Sequence, residues 1–155
     1  MRCHTSSTWP DLIIRLASFI PASLHARRVV LLIDDDQANL LTASRILEQC
    51  GCVLLRVEGP QQAIELFERS SDSIDILITD LNMLEKFGYE LAEALRQWHP
   101  SLPVLFISQA SCTEKSLNNC CFIEKPFTVW GLIESVAAVL HAPDLIKRAH
   151  FQLAL

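Results

Sequence analysis

Charge is sparse in this chain, and positive charge is the scarcer kind. Only 20% of the residues are charged, with 13 Lys and Arg against 18 Asp and Glu, a net charge of −5. A general nucleic-acid binder needs a basic surface to meet phosphates, so direct nucleic-acid binding is excluded as the main role. Half the residues are hydrophobic, which excludes a disordered chain and supplies a sizeable core. A long uninterrupted apolar run is also missing. The stretch from Leu12 to Ile20 is preceded by Asp11, broken by Arg15 and followed by Pro21, too short to span a bilayer and no secretory leader. Membrane contact is therefore not expected. The six cysteines, Cys3, Cys50, Cys52, Cys112, Cys120 and Cys121, lack zinc spacing, so reduced thiols and a cytoplasmic protein are expected.

What is present is order of one kind. From Arg28 on, short aliphatic runs alternate with helical patterns. Val29 to Ile33 is a continuous β-branched and aliphatic run, as in a strand buried on both faces. Leu40, Ala43, Leu47 and Cys50 then recur at helical spacing and Gly51 stops that helix. Val53–Val57 predicts a second strand, and Gly59-Pro60 opens a second helix with Ala63, Ile64 and Phe67 on one face. A third strand is predicted over Ile74–Thr79, a third helix over Tyr89–Trp98 ending at His99-Pro100, and a fourth strand over Pro103–Ile107. Thr113 to Asn118 makes at most a short helix. Cys121–Glu124 predicts a fifth strand, and Thr128 caps a last helix reaching about Leu140. Five βα units in a row mean an α/β fold, a doubly wound parallel sheet with helices on both faces. A domain over residues 28–141 is expected, with an extension at 1–27 and a tail at 142–155.

Ligands bind such sheets at the carboxyl ends of the strands. Asp34, Asp35 and Asp36 follow the first strand, Asp80 the third, Ser108 the fourth, and Lys125 with Pro126 the fifth. Asp36 reads best as a helix cap. The others gather several acids, a hydroxyl and an ammonium at one sheet edge. Clustered carboxylates repel unless a cation compensates them. An oxygen-rich acidic cluster suits a hard cation, Mg²⁺ or Mn²⁺.

Four pieces now resemble one family: Leu32-Ile33-Asp34-Asp35-Asp36-Gln37-Ala38-Asn39, Ile76-Leu77-Ile78-Thr79-Asp80-Leu81-Asn82-Met83, Leu102 to Ser108, and Lys125-Pro126-Phe127. In order and on matching elements they are similar to the receiver domain of bacterial two-component response regulators, over roughly Arg28 to Leu140. The resemblance implies a flavodoxin-like sheet of strand order 2-1-3-4-5. It implies Asp80 as phosphoacceptor, Asp35 as a direct metal ligand with Asp34 beside it, and the Asn82 carbonyl completing the set. It further implies Lys125 and Ser108 on the phosphoryl group, and Ser108 with Phe122 as the switch. The partners implied are a sensor histidine kinase or a histidine phosphotransfer protein upstream and a protein target downstream. The implied strand order puts Cys52 and Cys121 at opposite edges, four spacings of about 4.8 Å or roughly 19 Å apart, beyond one metal.

The chain departs from the family in three places. The segment between Ser108 and Lys125 is short by about one helical turn, so the helix between the fourth and fifth strands is expected to be short or absent. Gln109 stands where a small residue is common and is expected to modulate exchange at Asp80. The usual Met-Pro and Asp-Gly read Met83-Leu84 and Phe87-Gly88; the glycine is kept and the proline is not, so the loop that carries Met83 is expected to be looser.

Two other functions compete. Asp34-Asp35-Asp36 contains Asp-x-Asp after a strand, similar to haloacid-dehalogenase-type phosphatases with Asp34 as nucleophile. That reading leaves Asp80 unexplained and needs a later acidic pair, whereas Glu134 and Asp144 are the only acids after Lys125 and neither ends a strand. The other is a receiver-like interaction module that is never phosphorylated. Residues 141–155 are too few for a DNA-binding helical domain, so a stand-alone receiver signalling through protein contacts is expected. Residues 1–28 hold four Arg and one Asp. They could pack on the domain, pair two chains as a homodimer, or belong to something longer.

Overall fold

The computed structural model describes residues 20, 21, 24, 26–81, 83, 87–109 and 120–141, with the side chains of Phe87 and His141 left aside. The tail at 142–155, Asn82 and the expected short helix over Thr113–Asn118 lie outside the described residues.

The strands are β1 (Val29–Ile33), β2 (Val53–Val57), β3 (Ile76–Asp80), β4 (Val104–Ser108) and β5 (Cys120–Glu124). Among the described residues the helices are α1 (Gln37–Gln49), α2 (Pro60–Ser70), α3 (Phe87–Trp98) and α4 (Val129–His141), and a 3₁₀ turn lies at Ser71–Ser73. The sheet is parallel throughout, in the order β2-β1-β3-β4-β5. The expected doubly wound order is therefore present.

Strand alternation sorts the aliphatic runs into two cores. Val30, Leu32, Ile76, Ile78, Leu105 and Ile107 face Leu40, Ala43 and Leu47 of α1 and Leu132, Ile133 and Val136 of α4. Leu31, Ile33, Leu77, Val104 and Phe106 face Ala63 and Phe67 of α2 and Leu91, Ala92 and Leu95 of α3. A strand covered on both faces has no polar side, which is why Val29–Ile33, Ile76–Ile78 and Val104–Ile107 read as continuous apolar sequence.

The helix ends follow local chemistry. The carboxylate of Asp36 accepts from the Ala38 and Asn39 amides at 2.8 and 3.4 Å, making it the cap of α1. Gly51, at φ +89°, turns the chain out of that helix in the left-handed region. Pro60 sits in the first turn of α2, and Thr128 Oγ1 accepts from the Gly131 amide at 2.9 Å to cap α4.

Two boundaries move toward the site. β3 and β4 each run one residue further than their sequence patterns, ending on Asp80 and Ser108 themselves. The ladder continues there because the Leu81 amide donates to the Ile107 carbonyl at 2.8 Å and the Lys125 amide to the Ser108 carbonyl at 2.7 Å. α3 begins at Phe87, two residues earlier than its apolar pattern.

Ile20 and Leu24 of the expected extension are buried, Leu24 completely, in the same cluster as Ile46, Cys50, Val136 and Val139. Among the described residues no helix is long and apolar enough to cross a membrane. Cys52 lies just before edge strand β2 and Cys121 in the opposite edge strand β5, so the two cysteine pairs stay apart. Burial pushes the thiols of Cys52 and Cys121 up to about 11.

Two outcomes follow. Leu24→Ala removes a fully buried side chain and is expected to cost about 2–5 kcal/mol, read from the urea midpoint; a shift near zero would show that the segment is not part of the core. At pH 8 a thiol titrating near 11 is almost wholly protonated, and only the thiolate is nucleophilic. Native Cys52 and Cys121 are therefore expected to alkylate with iodoacetamide at a small fraction of the rate in the urea-unfolded chain, followed by peptide mass spectrometry.

Candidate functional site

The register brings the acidic positions level with one another. Ile33 of β1 pairs with Thr79 of β3, so Asp34 and Asp80 each stand one step further toward the carboxyl edge. Asp80 pairs with Ile107, which places Ser108 at the end of the next strand, and Ser108 pairs with Glu124, immediately before Lys125. Residues separated by up to 91 positions in sequence thus share one edge.

Lys125 Nζ donates to Asp80 Oδ2 at 2.5 Å and to Asp34 Oδ2 at 3.1 Å. Asp34 and Asp80 are 2% and 4% exposed, and Ser108 is 4% exposed. The second oxygen of Asp34, Oδ1, accepts from the Asp36 amide at 2.8 Å. Asp35 is exposed at the mouth of the site. One carboxylate oxygen each from Asp34, Asp35 and Asp80 lies within 4.8 Å of the others.

The electrostatics are those of a compensated cluster. Two unit charges about 4 Å apart near a protein surface repel by about 4 kcal/mol, so the ammonium between the buried acids is needed to hold them. Burial pushes the Asp34 carboxyl above its ordinary value. The Asp36 amide and Lys125 oppose that rise, while the charge of Asp80 adds to it. Burial by itself would lower Lys125, but its hydrogen bonds to Asp80 and Asp34 outweigh burial and hold the ammonium above its ordinary value.

Phe122 lies on β5 beside Phe106 of β4, their rings stacked with centroids 5.3 Å apart and planes 22° from parallel. It is half-buried against the α2–α3 core. Met83 is buried in that same core, and Gln109 is exposed directly after β4. Asn82 lies outside the described residues.

Two features escaped the sequence patterns. The first is the Asp36 amide on Asp34, which makes the start of α1 part of the site; the acids Asp34 and Asp36, two positions apart, were its only trace. The second is Gly88. A side-chain carbon built there would strike the Asp80 carbonyl and approach the Leu81 Cα to 3.1 Å. The glycine therefore lets the first turn of α3 press against the backbone of the site.

The model of the response regulator receiver domain matches residues 30–137. The chain belongs to the response regulator receiver family. The receiver is 30% identical over 137 residues to the putative two-component response regulator ARR21 of Arabidopsis thaliana, covering 88% of this chain and 21% of that protein. It is 27% identical over 126 residues to the sensor kinase CckA of Brucella abortus, covering 78% of this chain and 13% of that protein. The chain thus spans about a fifth or less of these two relatives. Among solved structures it is similar to a response regulator receiver protein from Sinorhizobium medicae, with a TM-score of 0.67 and 27% identity, covering 77% of this chain and 99% of that one. A receiver is a signalling domain rather than a turnover enzyme, and Asp34 with both oxygens engaged gives no support to a phosphatase nucleophile.

Lys125→Met leaves two buried carboxylates without their ammonium. It is expected to destabilise the metal-free receiver by about 3 kcal/mol. Combined with Asp80→Asn, the loss should be clearly less than the sum of the two single changes, measured as a double-mutant cycle in urea.

Proposed function

We propose that Asp80 accepts a phosphoryl group in a two-component pathway. The donor would be the phosphohistidine of a sensor histidine kinase or of a histidine phosphotransfer protein. The observation that carries this reading is the buried Asp80 carboxylate, held by Lys125 at the carboxyl edge of the sheet beside Asp34 and the mouth residue Asp35. An Asp80 oxygen attacks phosphorus. An O–P bond forms as the P–N bond to the donor imidazole breaks, and the imidazole nitrogen keeps the bonding pair. The product is an acyl phosphate.

The acidic group fits a hard divalent cation, Mg²⁺ or Mn²⁺: three carboxylate oxygens lie close together, one of them on an exposed residue that opens to solvent. Asp35 and Asp80, with Asp34 beside them and the backbone carbonyl of Asn82, are the residues that would hold it. The bound ion would supply screening of the charge on the nucleophile and the phosphoryl oxygens.

The remaining residues take the other roles. Lys125 keeps the Asp80 carboxylate aimed and then bonds a phosphoryl oxygen. Ser108, at the end of the neighbouring strand, donates its hydroxyl to another. Phosphorylation adds about −1.5 to −2 charges, and a hydrogen bond to a charged group is worth about 1.5–3 kcal/mol. One or two such bonds shift a two-state loop by an order of magnitude or more in population. Phe122, stacked on Phe106, is the aromatic that would re-pack with Ser108. Gln109 modulates access to the phosphoryl group. Output passes through contacts with a protein target in the cytoplasm.

Incubation with acetyl phosphate and Mg²⁺ is expected to add one phosphoryl group to the intact mass, and Asp80→Asn to abolish the adduct. No adduct on the parent, with the fold verified by circular dichroism, would favour a receiver-like module that works unphosphorylated.

A further inference from the structure

α2 and α3 pack side by side on one face of the sheet, and the groove between them has an apolar floor. Pro60 and Ile64 of α2 with Leu91 and Ala94 of α3 line one hollow, and Phe67 of α2 with Trp98 of α3 line a second. These positions recur at helical spacing on both helices, so the two hollows follow one another along a single groove. Trp98 is 53% exposed, yet its ring stacks on the buried Phe67 with centroids 6.3 Å apart. It is a fixed aromatic surface of the kind that anchors interfaces. The rims are acidic. Glu68 and Glu90 line the hollows, and Glu65 and Glu93 are exposed on the same helices. Against these four glutamates the two helices carry Arg69 and Arg96, and Arg96 is turned to the Leu102 carbonyl at 3.2 Å. The groove is therefore left with an excess of negative charge.

One stretch of this chain has the complementary character. After α4 the sequence reads Asp144-Leu145-Ile146-Lys147-Arg148-Ala149-His150-Phe151-Gln152-Leu153. Leu145, Ala149 and Leu153 recur every fourth residue with Ile146 beside them, while Lys147 and Arg148 supply positive charge. As a helix, Leu145 to Leu153 would span about 12 Å, and Pro60 to Ser71 spans about 16 Å, so the lengths match. We propose that this stretch of a second copy lies in the α2–α3 groove, its aliphatic residues against the apolar floor and its bases toward Glu68 and Glu90. Each copy lends its stretch to the other's groove. The sheet is the reason the stretch comes from a second copy. α4 packs on the face opposite to α2 and α3. Rounding the sheet edge from one helix layer to the other covers about 20 Å, two helix diameters, and takes up about six extended residues. Within one chain that crossing would draw out Leu145 and Ile146 and leave the aliphatic stripe incomplete. The proposal stands apart from the phosphoacceptor reading of Asp80.

The test is the mass of the full chain in solution, by sedimentation equilibrium over roughly 1–100 μM, where dimers of moderate affinity dissociate. The parent is expected to dimerise in that range. Ala94→Arg, which fills the groove, and Trp98→Ala are each expected to raise the dimer dissociation constant about ten-fold or more. Glu68→Lys with Glu90→Lys reverses the charge of the groove, and Lys147→Glu with Arg148→Glu reverses that of the stretch. Each double variant is expected to be monomeric by itself. Mixed in equal amounts, the two are expected to form a heterodimer, because both exchanged contacts then pair opposite charges. Circular dichroism verifies the fold of each variant, and recovery on mixing cannot come from a misfolded chain. A parent that stays monomeric overturns the proposal, and a zero-length Lys147–Glu68 crosslink within that monomer would assign the groove to the chain's own segment. A dimer indifferent to Ala94→Arg and to both reversals overturns it equally, as do reversed chains that fail to pair on mixing.

Discussion

One ammonium faces two buried carboxylates at the carboxyl edge of the sheet, and the surrounding fold is what makes that arrangement tolerable. Lys125 reaches Asp80 at 2.5 Å and Asp34 at 3.1 Å. Without it, two negative charges would be enclosed together at a cost of several kcal/mol. With it, the pair is compensated but still richer in negative charge than in positive once the exposed Asp35 is included. Such a site is held ready for further positive charge rather than satisfied by what it has.

That balance depends on backbone register. Asp34, Asp80 and Ser108 lie on or directly after three neighbouring central strands, and Lys125 follows the edge strand β5. The two cores, one on each face, lock those strands against slipping, because a one-residue shift would exchange the faces of Leu31 and Leu32 and of Leu77 and Ile78. Stability and chemistry are therefore tied: the apolar runs that pack α1 and α4 on one side and α2 and α3 on the other also set the heights of the site residues. Gly88 adds a local condition, since the close approach of α3 to the Asp80 carbonyl leaves no room for a side chain.

The other end of the sheet is built differently. Arg28 donates to Asp75 at 2.9 Å, and the Val29 amide donates to the same carboxylate at 2.8 Å. This pairing ties the starts of β1 and β3 and satisfies both partners of the ion pair locally. Charge is thus neutralised where the structure is only held together and left in excess where a ligand would come.

Much of this was legible in the residues. Continuous aliphatic runs of five residues, the cap at Asp36, the stop at Gly51 and the opening at Gly59-Pro60 are local signals, and each is honoured because propensity and packing agree there. The acids, Ser108 and Lys125 could be placed near one edge because parallel strands present their carboxyl ends together. Local patterns ended β3 and β4 one residue early, because Asp80 and Ser108 look polar in sequence while their backbones still belong to the ladder. That Lys125 holds Asp80 was implied by the resemblance; what only the tertiary structure decided is that Lys125 also meets Asp34. The resemblance set Asp35 apart as the direct metal ligand, and the fold buries Asp34 against Lys125 while leaving Asp35 exposed. The burial of Leu24 and the approach of Gly88 to Asp80 are of the same kind. Each depends on a contact between segments far apart in the chain, and distance in sequence carries no record of it.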